Sequence, residues 1–135
     1  MSQFVTDTHP LIWHLTGDAR LASDARMVFV GADQGTHRVW VPGIVLIEMV
    51  YLTEKGIVPQ SMLERALTLL DTPDGSYAVP ALDQTVARFM LQQVPWKMIP
   101  ELADRIIVAS ALALGLPLIS RDQRIQISGL VTLIW

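Results

Sequence analysis

Two hydrophobic rhythms alternate along the chain: short apolar runs, and longer segments in which apolar residues recur every three or four positions. The first rhythm predicts buried strands and the second predicts helices packed on them. Phe4–Thr6 reads as a strand ending in the turn Asp7-Thr8-His9-Pro10, followed by a helix through Leu11–Leu15 that stops near Gly17. Ala22–Val30 is a second helix, His37–Pro42 a second strand, and Gly43–Thr53 a third helix with Lys55-Gly56 as its C-cap. Ser61–Leu70 is helical, Thr72–Ser76 is a turn, and Tyr77–Leu82 is a short strand. Asp83 caps a helix over Gln84–Gln93, and Glu101–Leu114 is a strong helix closed by Gly115. Leu116–Ser120 and Val131–Ile134 complete the set as strands. Strands alternating with helices predict an α/β fold around a mostly parallel sheet, with residues 1–135 forming a single domain. Ligands of such sheets bind beyond the carboxyl ends of the strands.

Composition changes this picture only at a few points. The chain is 51% hydrophobic, enough for a helix-covered sheet, and has no cysteine, which removes disulfides, zinc–thiolate sites and cysteine nucleophiles. No basic, apolar leader opens the sequence, and no apolar stretch reaches the ~20 residues of a membrane span, so a soluble, cytoplasmic protein is expected. No Gly-rich phosphate loop is present, which argues against an NTPase. The formal charge of −3 argues weakly against nonspecific nucleic-acid binding. Four carboxylates of one candidate site account for more than that charge, however, and the rest of the chain sums to +1.

Those four are Asp7, Glu48, Asp104 and Asp122. Asp7 and Asp122 follow predicted strands, and Asp104 lies in the first turn of a predicted helix, so chain order delivers three acids to one sheet edge. Glu48 interrupts the most apolar run, Ile44–Leu52, whose helix is apolar on every side and is therefore expected to be buried. A bare carboxylate there costs several kcal/mol unless it is paired, protonated or bound to a cation. Each acid has a simpler alternative when taken alone. Asp7 suits an N-cap or Asx-turn before Pro10, Asp104 a helix-dipole complement, Asp122 an ordinary turn, and Glu48 a salt bridge to an arginine. Together they offer hard oxygen ligands suited to Mg2+ or Mn2+, whose chemistry activates water and stabilises charge on a phosphodiester.

In sequence order, several segments resemble one family. Asp7-Thr-His-Pro-Leu-Ile-Trp13 with Gly17–Arg26, Val45-Leu-Ile-Glu48, Glu101–Ala111 and Leu118-Ile-Ser-Arg-Asp122 resemble the acidic motifs of PIN-domain ribonucleases of the VapC toxin type, over essentially the whole chain. The resemblance implies an α/β/α sandwich, with Asp7, Glu48, Asp104 and Asp122 as the catalytic, metal-holding acids. It implies a Mg2+- or Mn2+-dependent endoribonuclease, the toxin of a type II toxin–antitoxin module, with a VapB-type antitoxin as partner and a homodimer as its common state. It places Ser120 where the family has a hydroxyl that supports the water on the metal. Two departures stand out. Glu101-Leu102-Ala103-Asp104 replaces a frequent Asp-Pro-Ala-Asp, leaving Glu101 as either an auxiliary ligand or, the favoured reading, a first-turn helix acid. Val45-Leu46-Ile47 lacks the polar residue that often precedes the glutamate.

Arg105, Arg121 and Ser120 are the candidate substrate contacts, the guanidinium groups through phosphate oxygens. Arg124 lies close by. His9 and His14, five apart, do not share a helix face as a metal pair would; His9 reads as a surface-turn residue and His37 as part of a solvated turn. Of four tryptophans only Trp96 is placed for exposure near substrate. Competing with the nuclease are a non-catalytic PIN-like binding module and a related metal-dependent nuclease or phosphatase acting on another substrate.

Overall fold

A computed structural model describes all 135 residues. Five strands, β1 (Ser2–Thr6), β2 (His37–Trp40), β3 (Tyr77–Ala78), β4 (Leu118–Ile119) and β5 (Leu133–Ile134), form one sheet in the order β3-β2-β1-β4-β5. Every neighbouring pair is parallel. Seven helices flank it in an α/β/α sandwich: α1 (Thr8–Thr16), α2 (Ser23–Asp33), α3 (Gly43–Glu54), α4 (Gln60–Asp71), α5 (Gln84–Gln93), α6 (Leu102–Leu114) and α7 (Gln123–Ser128). No helix is long and apolar enough to cross a membrane.

The strand order decides where a ligand can sit. The chain places β2 and β3 to one side of β1, then returns to lay β4 and β5 on the other. The reversal falls between β1 and β4, which pair through Val5↔Leu118 and Thr6↔Ile119. Parallel strands that part company at such a point leave a crevice at their carboxyl ends. Asp7 is the first residue beyond β1, and Ser120-Arg121-Asp122 follow β4 directly.

The sheet's centre is dry on both faces, as parallel sheets require. Val5, Val39, Leu118 and Ile119 are all fully buried, joined from the helices by Phe29, Met49 and Ile107. The helix ends follow local chemistry. Asp83 caps α5 through the Thr85 amide, as the sequence predicts, and Gly17 and Gly115 close α1 and α6 in the left-handed conformation that glycine adopts without a Cβ clash.

Four expectations change. Strands β3, β4 and β5 are two residues each, shorter than their apolar runs. Pro80 and Pro117 have no amide hydrogen to continue a ladder, although the Pro117 carbonyl still accepts from Val5 N at 2.9 Å. The short helix α7 follows Asp122 where no helix was expected; the Asp122 carboxylate starts it by accepting from Ile125 N at 3.0 Å. Helix α3 is not buried all round. Only Val45 and Met49 are buried, while Ile47, Val50 and Tyr51 face outward. His37 is not a solvated turn residue: it opens β2, with its ring edge-on to Phe4 at 5.4 Å and packed where a Cβ on Gly31 would collide.

Candidate active site

Each acid reaches the crevice by its own element. Asp7 is the N-cap of α1, and its Oδ1 accepts from Thr8 N at 2.7 Å. Its Oδ2 accepts from Ser120 Oγ at 2.8 Å, across the β1–β4 seam. Ser120 Oγ in turn accepts from Asp122 N at 3.1 Å, so one buried hydroxyl aligns the acids that end both strands. Glu48 projects from the second turn of α3, where Thr8 Oγ1 donates to its Oε1. Asp104 stands in the first turn of α6, a helix that precedes β4 and so starts at the strands' carboxyl end.

Electrostatics shows that these groups converge. Asp104 is pushed up to about 7, first by its burial and then by the negative charges of Asp7, Asp122, Glu101 and Glu48. Asp7 is also raised, mainly by burial; its hydrogen bonds from Ser120 and Thr8 and the nearby His9 act against that, and Asp122 adds to it. The two ion pairs of the chain are His14–Asp33 and Arg20–Asp18, so no arginine neutralises any of the four acids. The salt-bridge alternative for Glu48 is thereby removed. Burial in an all-apolar helix does not explain Glu48 either: it is half-buried at the crevice, and Thr8 holds it.

A divalent cation fits this donor set. The ligands are all hard oxygens, and mutual repulsion raises Asp104 in a way that a cation would relieve. As they stand, no three of the side chains are drawn in closely enough to enclose an ion.

The three expected substrate contacts fare differently. Arg121 faces an open cleft of about 320 Å³ lined also by Asp7, His9, Pro10, Trp13, Arg20 and Asp122. Arg105 does not offer its fork to phosphate: Nε donates to Val94 O at 2.9 Å and Nη2 to Met90 O at 3.5 Å, clasping the end of α5 to α6. Ser120 is fully buried and cannot touch substrate; its proton goes to Asp7. Glu101 is exposed at the N-cap position of α6, near enough to Asp104 to raise it. Trp96 is exposed as expected, whereas Trp13 is buried beside the cleft. Two residues beside the acids are not among the candidates the sequence offers. Thr8 carried a signal, a hydroxyl in the first helical position beside Asp7; Arg20 carried none, because only the fold brings its loop to the acids.

A larger cleft of about 720 Å³ lies elsewhere, lined by His14, Asp33, Glu64, Arg65 and Tyr77 among others and by none of the four acids. There Asp33 joins α1 to β3, accepting from the Tyr77 hydroxyl at 2.7 Å and lying 2.8 Å from His14 Nε2. Size alone would pick this cleft; convergent carboxylates pick the smaller one.

The sequence model of the PIN domain matches residues 4–128. The chain belongs to the PIN-domain family. No curated protein matches the sequence. The PIN domain's fold is similar to that in the crystal structure of VapBC2 from Rickettsia felis bound to a DNA fragment from their promoter (TM-score 0.70, 11% identity, covering 97% of this chain and 96% of that one). It is equally similar to the DNA-bound VapBC structure from Salmonella typhimurium (TM-score 0.71, 18% identity, covering 98% and 97%). At these identities the likeness speaks to the fold of the PIN domain.

Proposed function

We propose that this PIN domain is a Mg2+- or Mn2+-dependent endoribonuclease, the toxin of a toxin–antitoxin pair. The observation that carries the reading is the group of four unneutralised carboxylates, Asp7, Glu48, Asp104 and Asp122, at the β1–β4 switch point. Asp7, Glu48, Asp104 and Asp122 would hold the cation. A cation there supplies positive charge against the phosphodiester and makes water more acidic. The chain's own residues do the rest. Ser120 and Thr8 fix the carboxylates of Asp7 and Glu48. Arg121 meets the RNA backbone, while Arg105 stays in its clasp.

The resemblance to VapC toxins and the fold shared with VapBC structures support an antitoxin partner of VapB type. A homodimer is also proposed. Ile47, Val50 and Tyr51 share one outward face of α3 and form an apolar surface that a second copy would cover. Analytical ultracentrifugation of the purified chain is expected to give the mass of two copies; a single-chain mass at all concentrations would remove this part.

The test of the activity is a side-by-side challenge with RNA, single-stranded DNA and a phosphomonoester in Mg2+ or Mn2+. RNA is expected to be cut internally and the others left intact. Metal binding with no cleavage of any substrate would instead favour a binding module.

A further inference from the structure

We propose that Arg20 and Arg121, both held over the ring of Trp13, form a subsite for an RNA backbone phosphate next to the one being cut. The inference rests on the nuclease reading above and assigns a place for the substrate's flanking charge.

Arg121 Cζ lies 4.4 Å from the centre of the Trp13 ring and 5.8 Å from that of Trp135; Arg20 Cζ lies 4.8 Å from Trp13. The two indoles meet edge-on at 5.9 Å, so α1 and the end of the chain build one aromatic support. Trp13 is 4% exposed, which leaves no face for base stacking. Its ring orients guanidinium groups instead, since a cation over an indole is attracted by the ring's quadrupole.

The second observation is what the arginines do not do. Arg121 adjoins Asp122 and shares the cleft with Asp7, yet it forms no ion pair with either. None of the chain's side-chain hydrogen bonds involves it, which leaves its N–H fork open to the cleft. Arg20 is oriented by Asp18, through Nε at 3.1 Å and Nη2 at 2.7 Å, and keeps Nη1 free. Asp18, held down to about 2 chiefly by these bonds, stays ionised and fixes that geometry. A guanidinium fork oriented on one side and unpaired on the other matches the planar oxygen pair of a phosphate.

Position distinguishes the flanking phosphate from the scissile one. The acids, with a cation bound, would take the phosphate under attack. The arginines are pinned to Trp13 and stay off those carboxylates, so they meet the next phosphate along the strand. The same cleft is thus lined by two of the acids, Asp7 and Asp122, and by both arginines, Arg20 and Arg121.

Fluorescence anisotropy of a short labelled single-stranded RNA in EDTA reads this without cleavage. The double variant Arg20→Gln/Arg121→Gln should bind about 30-fold more weakly, with a salt slope reduced by about 0.7, the loss of one phosphate contact. Each single variant should lose less than additively, because both serve one phosphate. Circular dichroism melts should match wild type. A single uncharged methylphosphonate walked along the RNA should weaken wild-type binding at the linkage beside the cut, and the double variant should be indifferent to it. Equal affinity and slope in wild type and double variant, with wild type still cutting RNA, would overturn the subsite and leave the nuclease reading standing. Sensitivity confined to the scissile linkage would overturn the flanking assignment. A wild type that binds no RNA would overturn both.

Discussion

At pH 8 in EDTA, Asp104→Asn is expected to melt about 3–8 °C above the natural protein and to cleave no RNA once metal is restored. Asp104 is raised from 3.8 to about 7 in the folded chain, by burial first and by four neighbouring carboxylates second. Between those two values the folded protein retains a proton that the unfolded chain has released. The native state therefore binds more protons, and stability falls as pH climbs from about 4 through about 7. The full shift corresponds to ~4 kcal/mol. Asp104 is open enough for water to screen part of it, so about 1–2 kcal/mol is the expected loss. Asparagine keeps the shape and removes the charge. The variant should match the natural protein near pH 4 and exceed it at pH 8, and Mn2+ should stabilise only the natural protein. Asp7, raised for the same leading reason, contributes in the same direction. Melts that coincide at every pH would show that the acids do not strain one another.

Ser120→Ala should lower the cleavage rate ~10–100-fold although every acid remains, the range typical of residues that orient metal ligands. The hydroxyl is fully buried and bridges Asp7 Oδ2 and Asp122 N. Alanine leaves one carboxylate oxygen unaimed and one amide without its acceptor, costing about 1–3 kcal/mol. A purely structural loss would not move the pH profile, but this one should. The Ser120 bond holds Asp7 down, so its removal raises Asp7 further and carries the acid limb of the pH–rate profile to higher pH. An unshifted limb would assign Ser120 to packing alone.

Much of this was legible in the sequence, and the reasons differ by element. Strand–helix alternation predicts the parallel sheet, and acids placed just after strands predict one edge, because chain direction and ligand edge are linked in such folds. Asp7, Asp104 and Asp122 follow from order alone. The apolar run around Glu48 predicts a helix buried all round, but α3 leaves Ile47, Val50 and Tyr51 outside, so the run reports an exposed face as well as core. Arg105 and Ser120 adjoin or approach the acids in sequence, but adjacency does not give direction. Helix geometry turns Arg105 toward α5, and Ser120, just past β4, is turned inward to donate to Asp7. Arg20 was invisible as a functional residue, since its loop meets Arg121 only through the aromatic contact at Trp13.

On the proposed function, the four carboxylates hold a divalent cation on which RNA cleavage depends. Titrating Mn2+ into metal-free protein, with ion occupancy followed by electron paramagnetic resonance and RNA cleavage measured in the same samples, tests it most directly. The two curves should rise together in the natural protein, and both should be lost in Asp7→Asn. Cleavage that persists in EDTA, or survives undiminished in Asp7→Asn, would contradict it.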